Sequence, residues 1–185
     1  MDSSNQEAQV IKAQSGFYTL RTADGSMIVA RARGKLKHKP QDSTIVAVGD
    51  RVRWEPCPEG GFSITEVLPR HNWLSRRSAV PMPSSYAQEQ VLVANVDQVV
   101  PVLAAANPRL AWNLLDRFLV SAEASDIPAL IVLTKLDLVA GRHLQEIEAI
   151  AEEYRAIGYA VVLTSTVTGR GLDELKACLQ GRLSA

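Results

Sequence analysis

The sequence has few cysteines, no long apolar run and no spaced metal ligands. Cys57 and Cys178 are too few and too far apart for a disulfide framework or a cysteine metal site. The three histidines, His38, His71 and His143, have no partners in metal-ligand spacing either. The apolar stretches reach about ten residues, short of the roughly 20 that a membrane helix needs. The polar start, MDSSNQEAQV, is unlike a signal peptide. We therefore expect a soluble, cytoplasmic protein with no membrane partner.

A phosphate-binding loop is also absent from this sequence. Such a loop has the form GxxxxGK[ST], whose backbone N–H groups and lysine hold nucleotide phosphates. The Gly-Lys pair at Gly34-Lys35 has no glycine five residues earlier and is followed by Leu36. There is no DxxG segment to follow a magnesium-bound phosphate. Because phosphoryl transfer depends on these parts, we predict no catalytic residue and no hydrolysis by this chain alone.

The net charge is zero, but the charge is unevenly distributed. Residues 1–80 hold 12 Lys or Arg and 8 Asp or Glu, whereas residues 81–185 hold 8 and 12. A basic half followed by an acidic half is typical of two domains with different partners. Ordinary fluctuation of composition would produce the same numbers, so this pattern leaves both explanations open.

Short strand patterns fill the first part of the chain. One runs from Val10 to Leu20, a hairpin turn is indicated at Asp24-Gly25, and three further strand patterns follow, with HNWLSR as another candidate. The pattern predicts an all-β, OB-type barrel over residues 1–76. Residues 77–90, rich in serine and proline, are predicted to be a linker or mobile loop.

Strand and helix patterns alternate from residue 91 onward. The run 91–105 predicts a buried strand, and two further strands are predicted over 129–133 and 159–163. Helices are predicted over 112–124, 144–157 and 172–179, the first with Leu114, Leu115, Phe118 and Leu119 on one face. This alternation indicates α/β architecture, a partial doubly wound domain with parallel strands, over residues 91–185.

Two loops follow the second and third of these strands, at the sheet edge where nucleotides bind. The first reads Thr134-Lys135-x-Asp137, and the second begins Ser165-Thr166. A carboxylate at Asp137 can accept both the N1–H and the N2 amine of guanine, a pair that adenine lacks. The stem of Lys135 can lie along the base, Thr134 can brace the loop, and N–H groups after Ser165 can meet guanine O6. The alternative is that Lys135 and Asp137 only end a strand and solvate a loop.

A basic strip marks the barrel. Its members are Arg31, Arg33, Lys35, Lys37, Lys39, Arg51 and Arg53. Barrels of this type bind nucleic acid through one face, with cations following the phosphates. The competing interpretation is a solvated strand and loop. Trp54 and Trp73 offer stacking surfaces for bases, although core packing is the simpler assignment for both.

Several stretches in order resemble one family, the ribosome small-subunit-dependent GTPase A proteins, which are circularly permuted GTPases of bacterial ribosome biogenesis. The resemblance covers most of residues 10–180. It is carried by ARARGKL, VAVGDRV, EVLPRHNWLSR, ANVDQVV, NLLDRFLVSAE, LTKLDL, EYRAIGY and TSTVTGRGLDEL.

This resemblance implies an RNA-binding OB barrel, then a permuted GTPase domain that begins with guanine recognition, then a zinc-binding tail. By position, Thr134, Lys135 and Asp137 resemble the guanine-binding residues, and Ser165 and Thr166 the second base loop. The implied ligands are GTP or GDP with magnesium, and the implied partner is the small ribosomal subunit with its rRNA, not DNA.

This chain departs from the family pattern after GRLSA, where the family's phosphate-loop strand begins. We therefore expect a truncated member without the phosphate loop and the magnesium and zinc segments, with weak or absent GTP affinity and an exposed strand edge near residues 96–104. The alternative function is a catalytically inert RNA-binding module or fragment.

Overall fold

The computed structural model describes residues 6–34, 36, 46–77 and 89–185. The chain forms two compact units, residues 1–95 and 96–185, and each is described by itself. Most of the predicted linker, and the basic residues Lys35, Lys37 and Lys39, lie outside the described residues. The assignment of an RNA-binding domain to 1–76 and of a linker to 77–90 stays a prediction.

The first unit is built on a closed five-stranded barrel, which confirms the predicted fold of this region. The sheet order is β1-β2-β3-β5-β4, and pairing between β1 and β4 closes it. Alternate residues such as Val10, Leu20 and Ile64 are buried inside the barrel because successive strand side chains point to opposite faces. The strands are β1 (Glu7–Gln14), β2 (Phe17–Thr22), β3 (Met27–Ala32), β4 (Arg51–Pro56) and β5 (Phe62–Val67).

Two strand predictions were wrong because short turns interrupt the runs. The predicted strand from Val10 to Leu20 is divided by a turn at Ser15 and Gly16, whose φ angles are 50° and 81°. The predicted strand 91–105 is divided at Asn95, whose φ is 55°. Left-handed backbone at these residues reverses or redirects the chain, so a continuous strand cannot pass through them.

The first part of the divided run 91–105 belongs to a hairpin. Strands β6 (Trp73–Arg77) and β7 (Glu89–Ala94) pair antiparallel in the first unit, which confirms a strand in HNWLSR. Only Val102–Ala104 of the run forms a strand, β8, in the second unit. The apolar composition of residues 91–105 correctly indicated strand. It did not show that the run contributes to two different sheets, through β7 and through β8.

A turn before β4 connects the barrel to the hairpin strand β7. Gly49 has a φ of 90°, and a Cβ placed there would lie 1.8 Å from the carbonyl oxygen of Ala94. Asp50 is fully buried and accepts hydrogen bonds from Arg70 Nε at 2.7 Å, Arg70 Nη2 at 2.8 Å and the Ala47 N–H at 2.8 Å. Asn95 donates from Nδ2 to the Gly49 carbonyl at 3.2 Å. These contacts hold three separate chain segments together.

The second unit is a three-stranded parallel sheet covered by helices on both faces. The sheet order is β10-β9-β8, with β9 (Leu130–Thr134) in the centre and β10 (Ala160–Leu163) at one side. Ile131 and Leu133 of β9 pack with helices α1 (Trp112–Glu123) and α2 (Gly141–Ala156), whereas Leu130 and Val132 pack with α3 (Leu172–Leu179). This is the predicted partial doubly wound domain.

The inner face of α1 is narrower than the sequence predicted. Leu115 and Leu119 are buried, but Leu114 is 43% and Phe118 45% exposed. Leu114 and Phe118 lie one residue before the buried pair, which turns them about 100° away around a helix of 3.6 residues per turn. No helix in the described part of the chain is long and apolar enough to cross a membrane.

Two tyrosines beside α1 give the second unit a pH dependence at high pH. Burial, and then a hydrogen bond from Tyr154 Oη to Asp116 Oδ1 at 2.7 Å, raise the pKa of Tyr154. Burial, and then a hydrogen bond to Glu123, raise the pKa of Tyr159. A raised pKa means that the folded state holds the phenol proton more tightly than the unfolded chain does. The resulting stability is complete below the unfolded pKa of about 10 and is lost as the pH rises above it.

We expect the variant Tyr154→Phe to be less stable than the parent chain at pH 8, by about 0.5–1.5 kcal/mol for the lost hydrogen bond. The difference should shrink between about pH 10 and pH 11, where the tyrosine of the parent chain loses its advantage. Thermal unfolding of both proteins, followed by near-UV circular dichroism from pH 8 to 11, measures this. A constant offset between them across that range would contradict the assigned pKa direction.

Candidate guanine-recognition site

The first candidate loop begins where β9 ends, at Thr134. The Thr134 hydroxyl donates to the Leu103 carbonyl of β8 at 3.3 Å, which ties the loop to the neighbouring strand. Lys135 has left-handed backbone with φ 60°, so the chain turns sharply there. Leu136 is buried and Asp137 is exposed in the short 3-10 turn that follows. The buried leucine anchors the turn, and the carboxylate is thereby presented to solvent.

The side chain of Lys135 is held by a loop that the sequence analysis did not include. Its Nζ donates to the Asn107 carbonyl at 2.5 Å. Asn107 lies three residues after β8, at the same end of the parallel sheet as Lys135. Asn107 could have been predicted from the sequence, because it follows the carboxyl end of a strand, as the other candidate residues do. With the ammonium fixed in this way, the aliphatic stem of Lys135 is available to lie along a flat ligand.

Ser165 joins the second candidate loop to the first. Ser165 is fully buried, and its Oγ donates to Asp137 Oδ1 at 2.5 Å. The same oxygen accepts hydrogen bonds from the N–H groups of Val167 and Thr168, both at 3.2 Å. The structure therefore brings Thr134, Lys135, Asp137, Ser165 and Thr166 to one edge of the sheet, and it gives Ser165 the role of orienting Asp137.

One backbone donor of the second loop, the Thr166 N–H, is not engaged by Ser165. The N–H groups of Val167 and Thr168 are occupied by Ser165, whereas within the described part of the chain the Thr166 N–H has no recorded acceptor. Thr166 is exposed and Ser165 beneath it is not. An exposed carboxylate that can accept two hydrogen bonds, together with a backbone N–H that Ser165 does not use, has the donor and acceptor types that the N1, N2 and O6 edge of guanine requires.

A glycine in the second loop is required by close packing. Gly171 has φ 69°, and a Cβ placed there would lie 2.1 Å from the Leu163 carbonyl oxygen of β10. The loop can therefore fold back over the end of its own strand only with glycine at this position. The two ends of this loop are joined by the hydrogen bond from the Ser165 N–H to the Arg170 carbonyl at 3.0 Å.

The arginines of the basic strip are largely matched by carboxylates. Arg33, just after β3, pairs with Glu55 of β4 at 2.5 Å. Arg51 pairs with Glu7 at 2.8 Å and Arg53 with Glu66 at 2.8 Å, both across neighbouring strands. Arg31 lies with its guanidinium carbon 4.5 Å from the centre of the Phe17 ring. The lysines of the strip lie outside the described residues. The sequence analysis missed Phe17, whose exposed position on β2 follows from strand alternation.

Trp54 belongs to the barrel packing. It contacts the buried cluster and meets Phe62 edge-to-face, with ring centres 5.1 Å apart.

Among the described residues, no group of three or more histidine, cysteine, aspartate or glutamate side chains is placed to hold a metal ion.

Comparison with known proteins adds an independent line of evidence. Residues 67–185 match the model of the RsgA GTPase family, and residues 7–60 match that of the RsgA N-terminal domain. The chain is 39% identical over 178 residues to the small ribosomal subunit biogenesis GTPase RsgA of Geobacillus kaustophilus, covering 96% of the chain and 55% of that protein. The RsgA of Gemmatimonas aurantiaca is 38% identical, with 95% and 56% covered.

Two solved structures are similar to this chain over nearly its whole length. The crystal structure of YjeQ from Thermotoga maritima matches with a TM-score of 0.75 and 31% identity, covering 97% of this chain and 58% of that one. YloQ, described as a circularly permuted GTPase, matches with a TM-score of 0.65 and 34% identity, covering 95% and 56%. The chain thus spans a little over half the length of the relatives it matches.

Proposed function

Since this chain belongs to the RsgA GTPase family, we propose that it supplies guanine recognition and RNA binding for biogenesis of the small ribosomal subunit. The observation that carries the proposal is the 2.5 Å hydrogen bond from Ser165 to Asp137, which joins the two loops that hold the exposed residues Asp137 and Thr166. GTP or GDP is the proposed ligand, and the subunit with its rRNA is the proposed partner. The proposed site of action is the cytoplasm.

Each residue of the base site has a proposed role. Asp137 accepts the N1–H and N2–H of guanine, the Thr166 N–H donates to O6, and the stem of Lys135 covers one face of the base. Thr134 and Ser165 hold the loops in place. Because adenine carries an amine where guanine carries O6 and no N2 amine, it would leave both Asp137 and the Thr166 N–H unpaired.

A direct test compares purine monophosphates that differ only in these groups. Base contacts alone should give the chain a Kd for GMP in about the millimolar range. Amide signals of residues 134–138 and 165–168 should shift in an NMR titration with GMP, shift less with IMP, which lacks the N2 amine, and not shift with AMP. Signals of the barrel serve as the internal control. Equal responses to GMP and AMP would contradict guanine recognition.

A further inference from the structure

A third loop borders the candidate base site. It connects β8 with α1, and we refer to residues 105–111 as the β8–α1 loop. The sheet order β10-β9-β8 places the loops that follow these strands side by side at one edge. The contact from Ser165 to Asp137 joins the first two loops, and the contact from Lys135 to Asn107 joins the second to the third. The β8–α1 loop therefore forms the side of the site opposite Ser165.

The β8–α1 loop is fixed at both ends, and its exposed residues lie between them. Ala105 and Leu110 are buried in the core of the second unit. The Ala105 N–H donates to the Thr134 carbonyl at 2.8 Å, which holds the start of the loop against the end of β9. Residues 107–109 are exposed. These three residues, Arg109 among them, are therefore held at a fixed place beside the base site.

The edge of the sheet that carries the site is cationic, although the second unit is acidic. Residues 96–185 hold 8 Lys or Arg and 11 Asp or Glu. Taken as residues 105–111, 134–140 and 164–171, the three loops hold three cationic residues and one acid. These are Arg109, Lys135, Arg170 and Asp137. Because the proposed function assigns the single acid to the base, the remaining charge at this edge favours an anion.

Arg109 is the unmatched cation of this edge. Arg170 pairs with Glu148 at 2.7 Å, and the ammonium of Lys135 is held by the Asn107 carbonyl. In the described part of the chain, the Arg109 side chain has no recorded ion pair or hydrogen bond. An unpaired arginine is ordinary on a protein surface, but this one lies in a loop that contacts the base site. A guanidinium presents a planar fork of N–H donors that matches a phosphate.

The shape of guanine directs its phosphate toward the β8–α1 loop. The N1 edge of the base lies across the ring system from N9, the atom that carries the sugar. A base that meets Asp137 through N1 and N2 therefore has its sugar and phosphate on the side away from Asp137. The loop with Ser165 occupies the β10 side of the site, whereas Lys135 extends toward the β8–α1 loop. We therefore expect the sugar and phosphate to extend toward residues 107–109.

We infer that Arg109 binds the phosphate of a guanine nucleotide whose base is held by Asp137. The inference rests on the guanine recognition proposed above, whereas the placement of the β8–α1 loop and the unmatched charge of Arg109 rest on the structure. Asn107 has a positioning role, because its carbonyl fixes Lys135 between the base and the phosphate. The chain, which has no GxxxxGK[ST] segment, should thus distinguish a nucleotide from a nucleoside through Arg109.

The test uses the full chain, without added divalent metal, in NMR titrations with guanosine and GMP, which differ by the phosphate. Both ligands should shift the amide signals of residues 134–138 and 165–168, and GMP alone should shift those of Arg109 and Leu110. GMP should bind about 3- to 10-fold more tightly than guanosine at 50 mM salt, as expected for a partly exposed, charge-assisted hydrogen bond. This advantage should shrink at 200 mM salt, because salt screens the attraction.

Variants of Arg109 separate the charge from the loop. Arg109→Gln keeps a long polar side chain, and it should weaken GMP binding about 3- to 10-fold while leaving guanosine binding unchanged. Arg109→Lys should retain part of the GMP advantage, since it keeps the charge and loses the planar fork. Inorganic phosphate alone should shift the Arg109 signal less than GMP at equal concentration, because it lacks the base contacts.

A matched control is available on α1. Arg117 is also an exposed arginine without a recorded carboxylate partner in the part of the chain that the structure describes. Arg117→Gln removes the same charge from the second unit, and it should change the GMP affinity less than twofold. Circular dichroism melting of each variant establishes that it is folded.

The outcomes distinguish this inference from the proposed function. A GMP advantage that is equal in Arg109→Gln and the parent chain would overturn the inference and leave guanine recognition in place. Equal weakening of guanosine and GMP by Arg109→Gln would also overturn it, since the loop would then act only by supporting the base site. A response to inorganic phosphate as strong as that to GMP would make Arg109 a general anion contact and overturn it too. No response of residues 134–138 to either ligand would overturn the inference together with guanine recognition.

Discussion

Replacing Asp50 with alanine should reduce the free energy of unfolding of the first unit by about 3–5 kcal/mol. Asp50 is fully buried and receives three hydrogen bonds, two of them from Arg70, whose side chain is 14% exposed. Removal of the carboxylate would take away the charge that Asp50 provides beside the largely buried guanidinium, and it would remove the acceptor of the Ala47 N–H. Removing one partner of a buried ion pair is far more destabilising than removing both.

Urea unfolding followed by NMR signals of the first unit measures this effect without interference from the second unit. The double variant Asp50→Ala, Arg70→Met should be more stable than Asp50→Ala alone, because it also removes the largely buried positive charge that Asp50 balances in the parent chain. Glu66→Gln is the control, since the Glu66–Arg53 pair is exposed and should contribute at most about 1 kcal/mol. A loss for Asp50→Ala as small as that control would contradict the importance given to this contact.

Changing Asp137 to asparagine should convert the base preference of the second unit from guanine to xanthine. The amide keeps one acceptor for N1–H but presents an N–H₂ group where guanine presents its own amine, so two donors would face each other. Hydrogen bonds to a charged group contribute about 1.5–3 kcal/mol, so GMP binding should weaken about 10- to 150-fold. Xanthine has a carbonyl at that position, which accepts from the amide.

The same NMR titration, carried out with GMP and XMP, measures both halves of this prediction. Asp137→Ala should lose the GMP response without gaining one for XMP, because it supplies neither donor nor acceptor. Asp173→Asn, which changes a carboxylate in the first turn of α3, is the control and should leave the GMP response as it is. An unchanged preference for GMP in Asp137→Asn would mean that Asp137 does not contact the base.

The sequence predicted the position of the two candidate loops better than it predicted the surface of the barrel. Thr134, Lys135 and Asp137 follow a buried strand directly, so strand periodicity and local spacing were enough to place them at the sheet edge. The contact from Lys135 to Asn107 and the contact from Ser165 to Asp137 join residues 28 positions apart in each case. Such contacts depend on how the strands are ordered in the sheet, which local patterns do not specify.

The availability of the basic strip was predicted less well from the sequence. Clustering of Arg31, Arg33, Arg51 and Arg53 in the sequence predicted an available cationic surface, but three of the four have glutamate partners on other strands. The partners of Arg33 and Arg51 lie 22 and 44 positions away, and pairing depends on barrel closure and register. Conversely, Lys12, Phe17 and Arg21 form no cluster by composition and become neighbours only through the register of β1, β2 and β3.

The exposed apolar residues of α1 show that local sequence patterns do not predict how much of a helix is buried. Leu114 and Phe118 have the residue type and the helical spacing of a buried stripe, yet they are exposed beside the buried stripe of Leu115 and Leu119. Periodicity indicates that a helix has an apolar side, but the width of that side in contact depends on which elements pack against it.

The close approach of Gly49 to Ala94 has a consequence for where the first unit can be cut. Main-chain atoms of Ala94 fill the space beside Gly49 that the side chain of any other residue would need, and the Asn95 amide donates to the Gly49 carbonyl. A fragment that ends at residue 76 would keep all five barrel strands and still lose this partner, and the Ala94 N–H would no longer donate to the Val48 carbonyl at 2.8 Å. A piece of the chain that retains the native contacts of this turn must therefore extend to residue 95, nearly thirty residues past the last barrel strand, which ends at Val67.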